Sequence, residues 1–199
     1  MPKIEYGIKN VYFAIRKRSE EGTISYDTPF AVPNARSTDM APQGETTPIY
    51  ADNVIVYTSN SNQGYSGSLA FTTIPDEVLE KLLGYIKDSK GNLLEDANAE
   101  SVPFAMMFQF ETDEKAVRHI FYNCTLARPN VASQTKEASV TVSDKTLTIT
   151  AAPDSEILPG YTIVKGKSTK DTDATAYNSW FTSVQIPTLP AEEETDVQS

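Results

Sequence analysis

The 199-residue chain carries 27 acidic against 17 basic residues, a net charge of −10, with 39% hydrophobic and 22% charged positions. That balance is ordinary for a globular protein and argues against a surface that grips nucleic acid, which would be basic. No apolar run approaches the ~20 residues of a membrane-spanning helix, and the single cysteine, Cys124, excludes an internal disulfide.

The start, Met1 to Tyr6, lacks the apolar stretch of a secretory signal, so synthesis in the cytoplasm is expected. Residues 4–9 form a lead-in. Asn10 to Arg16 alternates, with Val11, Phe13 and Ile15 on one side, and predicts a strand. Arg16-Lys17-Arg18 and Ser19 to Gly22 make a charged turn, after which Ile24 to Tyr26 is extended. Residues 33–48, interrupted by Pro33, Pro42, Gly44 and Pro48, predict a long irregular loop of the kind that tends to be functional. Strands are predicted over Asn53 to Tyr57 and Ser66 to Thr73, with a turn at residues 60–64. Pro75 then opens one helix. Asp76 and Glu77 suit its positive end, Val78, Leu79, Leu82 and Leu83 form its apolar stripe, and Gly84 caps it.

The centre of the chain, residues 104–151, predicts four strands. Phe104, Met106, Phe108 and Phe110 share a face, and Val117 to Leu126 follows a polar turn. Val140 and Val142 then pair with Leu147 and Ile149 across a Ser143-Asp144-Lys145 turn. The expected sheet is antiparallel with one apolar and one wet face. Tyr161 to Lys165 and Ser179 to Ile186 also alternate, with Trp180, Thr182, Val184 and Ile186 on one face. A mobile loop over 166–176 separates them. Residues 190–199, with Glu192, Glu193, Glu194 and Asp196 and no base, predict an acidic disordered tail. One domain over 1–189 is expected, with a core at 4–153 and C-terminal strands and loop at 154–189.

Catalytic and metal-binding patterns are missing from the sequence. His119 is the sole histidine, which excludes any two-histidine mechanism. Simple alternation places it with Val117 and Phe121, opposite Arg118, Ile120, Tyr122 and Cys124, so a His119–Cys124 nucleophile pair is not expected. There is no Cys-x-x-Cys, no phosphate-cradling glycine loop, and Asp171-Thr172-Asp173 lacks the glycine and terminal glutamate of a calcium loop. No enzyme activity, metal or cofactor is expected.

Several stretches share an order and spacing with a known family. Phe121-Tyr122-Asn123-Cys124-Thr125-Leu126-Ala127-Arg128-Pro129 is followed by Thr135-Lys136 and by Thr146-Leu147-Thr148-Ile149-Thr150-Ala151-Ala152-Pro153. Upstream stand Gly7-Ile8-Lys9-Asn10, Ile49-Tyr50-Ala51-Asp52-Asn53 and Leu82-Leu83-Gly84-Tyr85. Over residues 4–153 the chain resembles the major tail protein, or tail tube protein, of long non-contractile-tailed bacteriophages. Contractile-tail and bacteriocin tubes are neighbouring readings with the same fold. Asp27 and Asn34 stand where the resemblance implies glycines.

The resemblance implies a mainly β fold: an antiparallel β-sandwich or partly closed barrel with one short flanking helix at about 75–84. It implies hexameric rings stacked into a tail tube in the virion, assembled in the host bacterial cytoplasm. Genomic DNA would pass through without specific binding. The tail tip or initiator, tape-measure and tail terminator proteins would be partners, and no membrane is involved. Loops and arms of the family reach neighbouring subunits, which makes Pro42, Gly44, Glu45, Tyr50, Lys167 and Lys170 candidates for contacts between subunits or rings. No Lys or Arg falls between Arg36 and Lys81. Asp39, Glu45 and Asp52 are therefore candidates for a lumen wall that repels phosphate. The alternative is a monomeric carbohydrate- or surface-binding β-sandwich module; an enzyme on a β-scaffold is a more distant third.

Overall fold

The structure is a computed structural model and describes residues 4–132 and 144–189. In chain order the elements are β1 (Glu5–Arg18), β2 (Ile24–Tyr26), β3 (Phe30–Ala31), β4 (Ala35–Gln43), β5 (Thr46–Ala51), β6 (Val54–Asn60) and β7 (Gly64–Phe71). Helix α1 (Asp76–Leu83) and the small strands β8 (Ile86–Lys87) and β9 (Leu93–Leu94) follow. Then come β10 (Phe104–Thr112), β11 (Val117–Leu126), β12 (Lys145–Ala151), β13 (Asp154–Leu158), β14 (Tyr161–Ile163), β15 (Lys165–Lys167) and α2 (Ala174–Asn178).

The main sheet is antiparallel, in the order β2-β1-β10-β11-β12-β7-β4, with β3 on β1 and β15 on β11. It almost returns on itself. β3 pairs with β1 at Tyr12 and Phe13, while β4, three residues further along, pairs with β7 at the opposite edge. Residues 30–43 are thus one bent stretch that pairs at both ends of the curled sheet, and the mainly β, antiparallel fold is the one expected. The corner is Asn34, whose φ of 70° lies in the left-handed region and whose carbonyl accepts the Thr72 N–H at 3.2 Å. Asparagine tolerates this backbone, as the glycine implied there would. Asn34→Val should cost about 1–2 kcal/mol in thermal unfolding and Asn34→Gly almost nothing, because a β-branched residue resists positive φ.

Inside the curl lies the larger core: Phe13, Leu69, Phe71, Phe104, Met106, Leu147 and Ile149, closed by Val78 and Leu82 of α1. The helix forms where the sequence places it. Pro75 precedes it, Gly84 ends it at φ 67°, and Glu77 pairs with Lys81 one turn later at 2.6 Å.

A wet outer face holds only for half of the sheet. Phe104 to Phe108 of β10 are buried at every position, so both faces are covered. The outer side of β1, β10 and β11 carries Ala14, Ala105, Met107, Ile120 and Tyr122 beneath Ile24, Ile157 and Trp180. Trp180 does share that layer with Val184, but residues 179–186 are turn and irregular chain, not a strand. Helix α2, which begins inside the stretch 166–176 expected to be loop, is capped by Asp173, whose carboxylate accepts the Thr175 and Ala176 N–H groups. Buried Asp154 of β13 anchors this layer through Arg16 at 2.8 Å.

Alternation also fails in β11. Phe104 pairs with Cys124 but Met106 with Phe121, so one extra residue bulges near Tyr122 and Asn123. Cys124 therefore turns into the core with Phe121, on the side opposite Tyr122. This corrects the simple two-face assignment. Strand 139–142 and the acidic tail lie outside the described residues; β12 itself is flanked by β7 and β11.

Candidate assembly surfaces

The stretch expected to be an irregular loop, residues 33–48, is mostly strand. β4 and β5 are consecutive, as are β6 and β7, and the pairs β4–β7 and β5–β6 form one long two-stranded ribbon. Prolines misled the sequence reading. Pro42 sits on the edge strand β4 and Pro48 on a two-stranded arm, positions where a missing N–H costs no interior ladder bond. The missed signal was Asp52-Asn53. Both take positive φ, 51° and 64°, between the paired Ala51 and Val54, the geometry of a two-residue hairpin turn.

Where the ribbon leaves the sheet, Gly44 takes φ 151° and its backbone nearly touches the facing strand. A Cβ there would lie 2.0 Å from the Ser61 carbonyl oxygen. Ser61 and Glu45 hold the junction by backbone N–H to carbonyl at 3.0 Å and by Glu45 N–H to Ser61 Oγ at 2.9 Å. Beyond it every residue of β5 and β6 is exposed. Register puts Ile49, Val54 and Tyr57 on one face and Pro48, Tyr50 and Ile55 on the other, with Val56 in a bulge. Tyr50, Val54 and Tyr57 are each more than 60% exposed. A lone two-stranded hairpin is marginal in water, and contiguous exposed apolar side chains mark interaction surfaces.

The outer face of the lower ribbon has a different character. Cross-strand register aligns Ser37, Ala70 and Thr146 in one row, Asp39, Ser68 and Thr148 in the next, then Ala41, Ser66, Thr150 and Thr125. These side chains are small, mostly hydroxylated, and free of Lys and Arg. Asp39 is the one charge in these three rows. Gly67 lets β4 approach, since a Cβ there would meet the Asp39 carbonyl oxygen at 1.8 Å.

Of the residues singled out from sequence, Asp39, Pro42, Gly44, Glu45, Tyr50 and Asp52 thus lie along one ribbon. Lys167 and Lys170 do not. Lys167 is on β15 opposite His119, and Lys170 lies in the turn before α2, 4.0 Å from Asp171.

His119 stacks on Phe108 at 5.3 Å, and its Nε2 is buried with no hydrogen-bond partner among the described residues. Burial, reinforced by Lys165 and Lys167, pushes its pKa down to about 4. Its proton is therefore bound more tightly unfolded than folded. Stability should fall as pH drops from 6.5 towards 4, by about 2 kcal/mol after allowing for partial exposure. His119→Phe should flatten that part of a Tm-against-pH curve; an unchanged slope would contradict the assignment. Burial also drives the Cys124 thiol well above its ordinary value. Cys124 is fully buried in the larger core. Among the described residues there is no group of three or more His, Cys, Asp or Glu able to hold a metal.

The described residues form a curled antiparallel sheet with a projecting hairpin whose residues are all exposed. The phage tail tube protein family matches residues 38–188, and the chain belongs to that family. It is a structural protein of the phage tail. No curated protein matches the chain.

Proposed function

We propose that this chain polymerises into stacked rings, hexameric as the resemblance implies, that form the tail tube through which DNA passes. The observation that carries the proposal is the β5–β6 arm, which exposes apolar side chains on both faces and contributes none to either core. Such an arm gains its stability from a neighbour. Head-to-tail contact is heterologous, which lets rings stack without limit. The wall facing DNA is the Ser/Thr face of β4, β7 and β12, with Asp39 at its centre. A base-free, hydroxylated surface offers phosphate no counter-charge, so DNA slides over it. The chain has no catalytic role in this reading. It is made in the host cytoplasm and works with the tail tip, tape-measure and terminator proteins, without a membrane.

Negative-stain electron microscopy with light scattering, across concentration and with a purified tail-tip complex, tests the assembly. Rings or tubes with a central channel are expected. A chain that stays monomeric beside the tail tip and binds glycans would establish the surface-binding alternative.

A further inference from the structure

We infer that residues 173–186 form a latched strap over the outer apolar layer, one that opens while the curled sheet beneath it stays folded. The strap comprises α2 and the irregular chain that follows it. Its main chain bonds only to itself. The N–H groups of Tyr177, Ser179, Trp180, Thr182 and Ser183 all donate to carbonyls between Asp173 and Ser179. Among the described residues, no main-chain hydrogen bond joins the strap to a strand. The strands themselves are held by ladders, so the strap can leave without breaking one, as a unit of local opening. Opening uncovers Ile120 and Tyr122, on which Trp180 packs.

Side chains alone latch it, and Arg118 of β11 is the principal one. Its guanidinium carbon lies 3.7 Å from the centre of the Tyr177 ring and 4.9 Å from that of Phe181. The same guanidinium donates to the Tyr177 carbonyl. Lys115 sits over the Tyr177 ring at 3.6 Å, and Tyr12 stacks on Phe181 at 5.1 Å. The other links are single hydrogen bonds. Tyr177 Oη donates to the Ala116 carbonyl at 2.9 Å, and Tyr122 Oη to the Gln185 carbonyl at 3.1 Å. Trp180 is buried, but Phe181 and Val184 are only partly so. A cleft of about 270 Å³, lined by Tyr26, Pro29, Val184 and Ile186, runs along the strap's edge. The closed state also carries a cost. Arg118 Nε and, across the ladder from it, Gln109 Oε1 are buried with no hydrogen-bond partner among the described residues. Each such atom loses its hydration without compensation, and opening restores it for Arg118.

Trp180 is the sole tryptophan, so its fluorescence reports the strap while far-ultraviolet circular dichroism reports the strands. In a urea titration of the full chain, Trp180 emission should shift to the red at lower urea than the strand signal is lost. Native-state hydrogen exchange should show amides 177–183 exchanging through an opening that leaves β10 and β11 protected. Arg118→Ala should speed that exchange at least about tenfold, through loss of a charged hydrogen bond and two cation–π contacts. Exchange in β1 and β10 should stay within about twofold. Coincident urea transitions in the native chain, or strap amides exchanging at the rate of β10, would show one cooperative unit and overturn the strap. The native chain alone decides this, so a variant that does not fold leaves the test intact. A folded Arg118→Ala chain with unchanged strap exchange overturns Arg118 as the latch.

Discussion

Excising the arm should abolish polymerisation while leaving the monomer as stable as before. Every residue of β5 and β6 is exposed, so removing them deletes no core contact. The cut ends are already in register, because Ser61 donates its N–H to the Glu45 carbonyl at 3.0 Å, and an Asn-Gly turn can join them. Unfolding free energy should change by no more than about 0.5 kcal/mol, the range of neutral surface changes. Tubes should vanish from micrographs at every concentration. Should the shortened chain still form tubes, the arm is not the connector. A large loss of monomer stability would show that the arm packs on its own subunit.

Phe104→Ala should have the largest effect on folding. Phe104 is fully buried at the meeting of β1, β10 and β11. Its ring lies 4.8 Å from that of Phe13, and its backbone pairs with Ile15 and Cys124. Emptying such a site costs the transfer free energy and leaves a cavity, about 3–5 kcal/mol for Phe→Ala. Thr148→Ala, two strands over on β12 and on the outer face, should lie within about 0.5 kcal/mol. The contrast measures the sidedness of the β12 half of the sheet by chemical denaturation. Equal losses at both positions would mean that the hydroxylated face is packed in the monomer.

The sequence made the core-facing positions of β10 and β12 legible, because Phe104, Met106, Phe108, Leu147 and Ile149 stand at alternate positions facing the larger core. Helix α1 was legible for the same reason, with Pro75 and Gly84 as punctuation. What escaped were departures from local rules. Pro42 and Pro48 mimic a loop because proline is read as a strand breaker, yet an edge and a detached ribbon tolerate it. The bulge near Tyr122 reversed the side on which Cys124 sits, and no composition marks it. The second core escaped because Trp180 reaches Ile120 and Tyr122 across some sixty residues of sequence, a contact made by irregular chain without periodicity. At the candidate surfaces, the base-free run from Arg36 to Lys81 was plain. That its strands form a hydroxylated sheet face plus an exposed arm was not, since register is a property of strand pairs.

The most direct measurement is a cryo-EM reconstruction of the assembled protein that locates Asp39 and the arm. The account predicts a tube with Asp39, Ser68 and Thr148 facing the channel and each arm crossing to the next ring. A channel lined instead by Lys165 and Lys167, with the Ser/Thr face outside and the arm within its own ring, would contradict it.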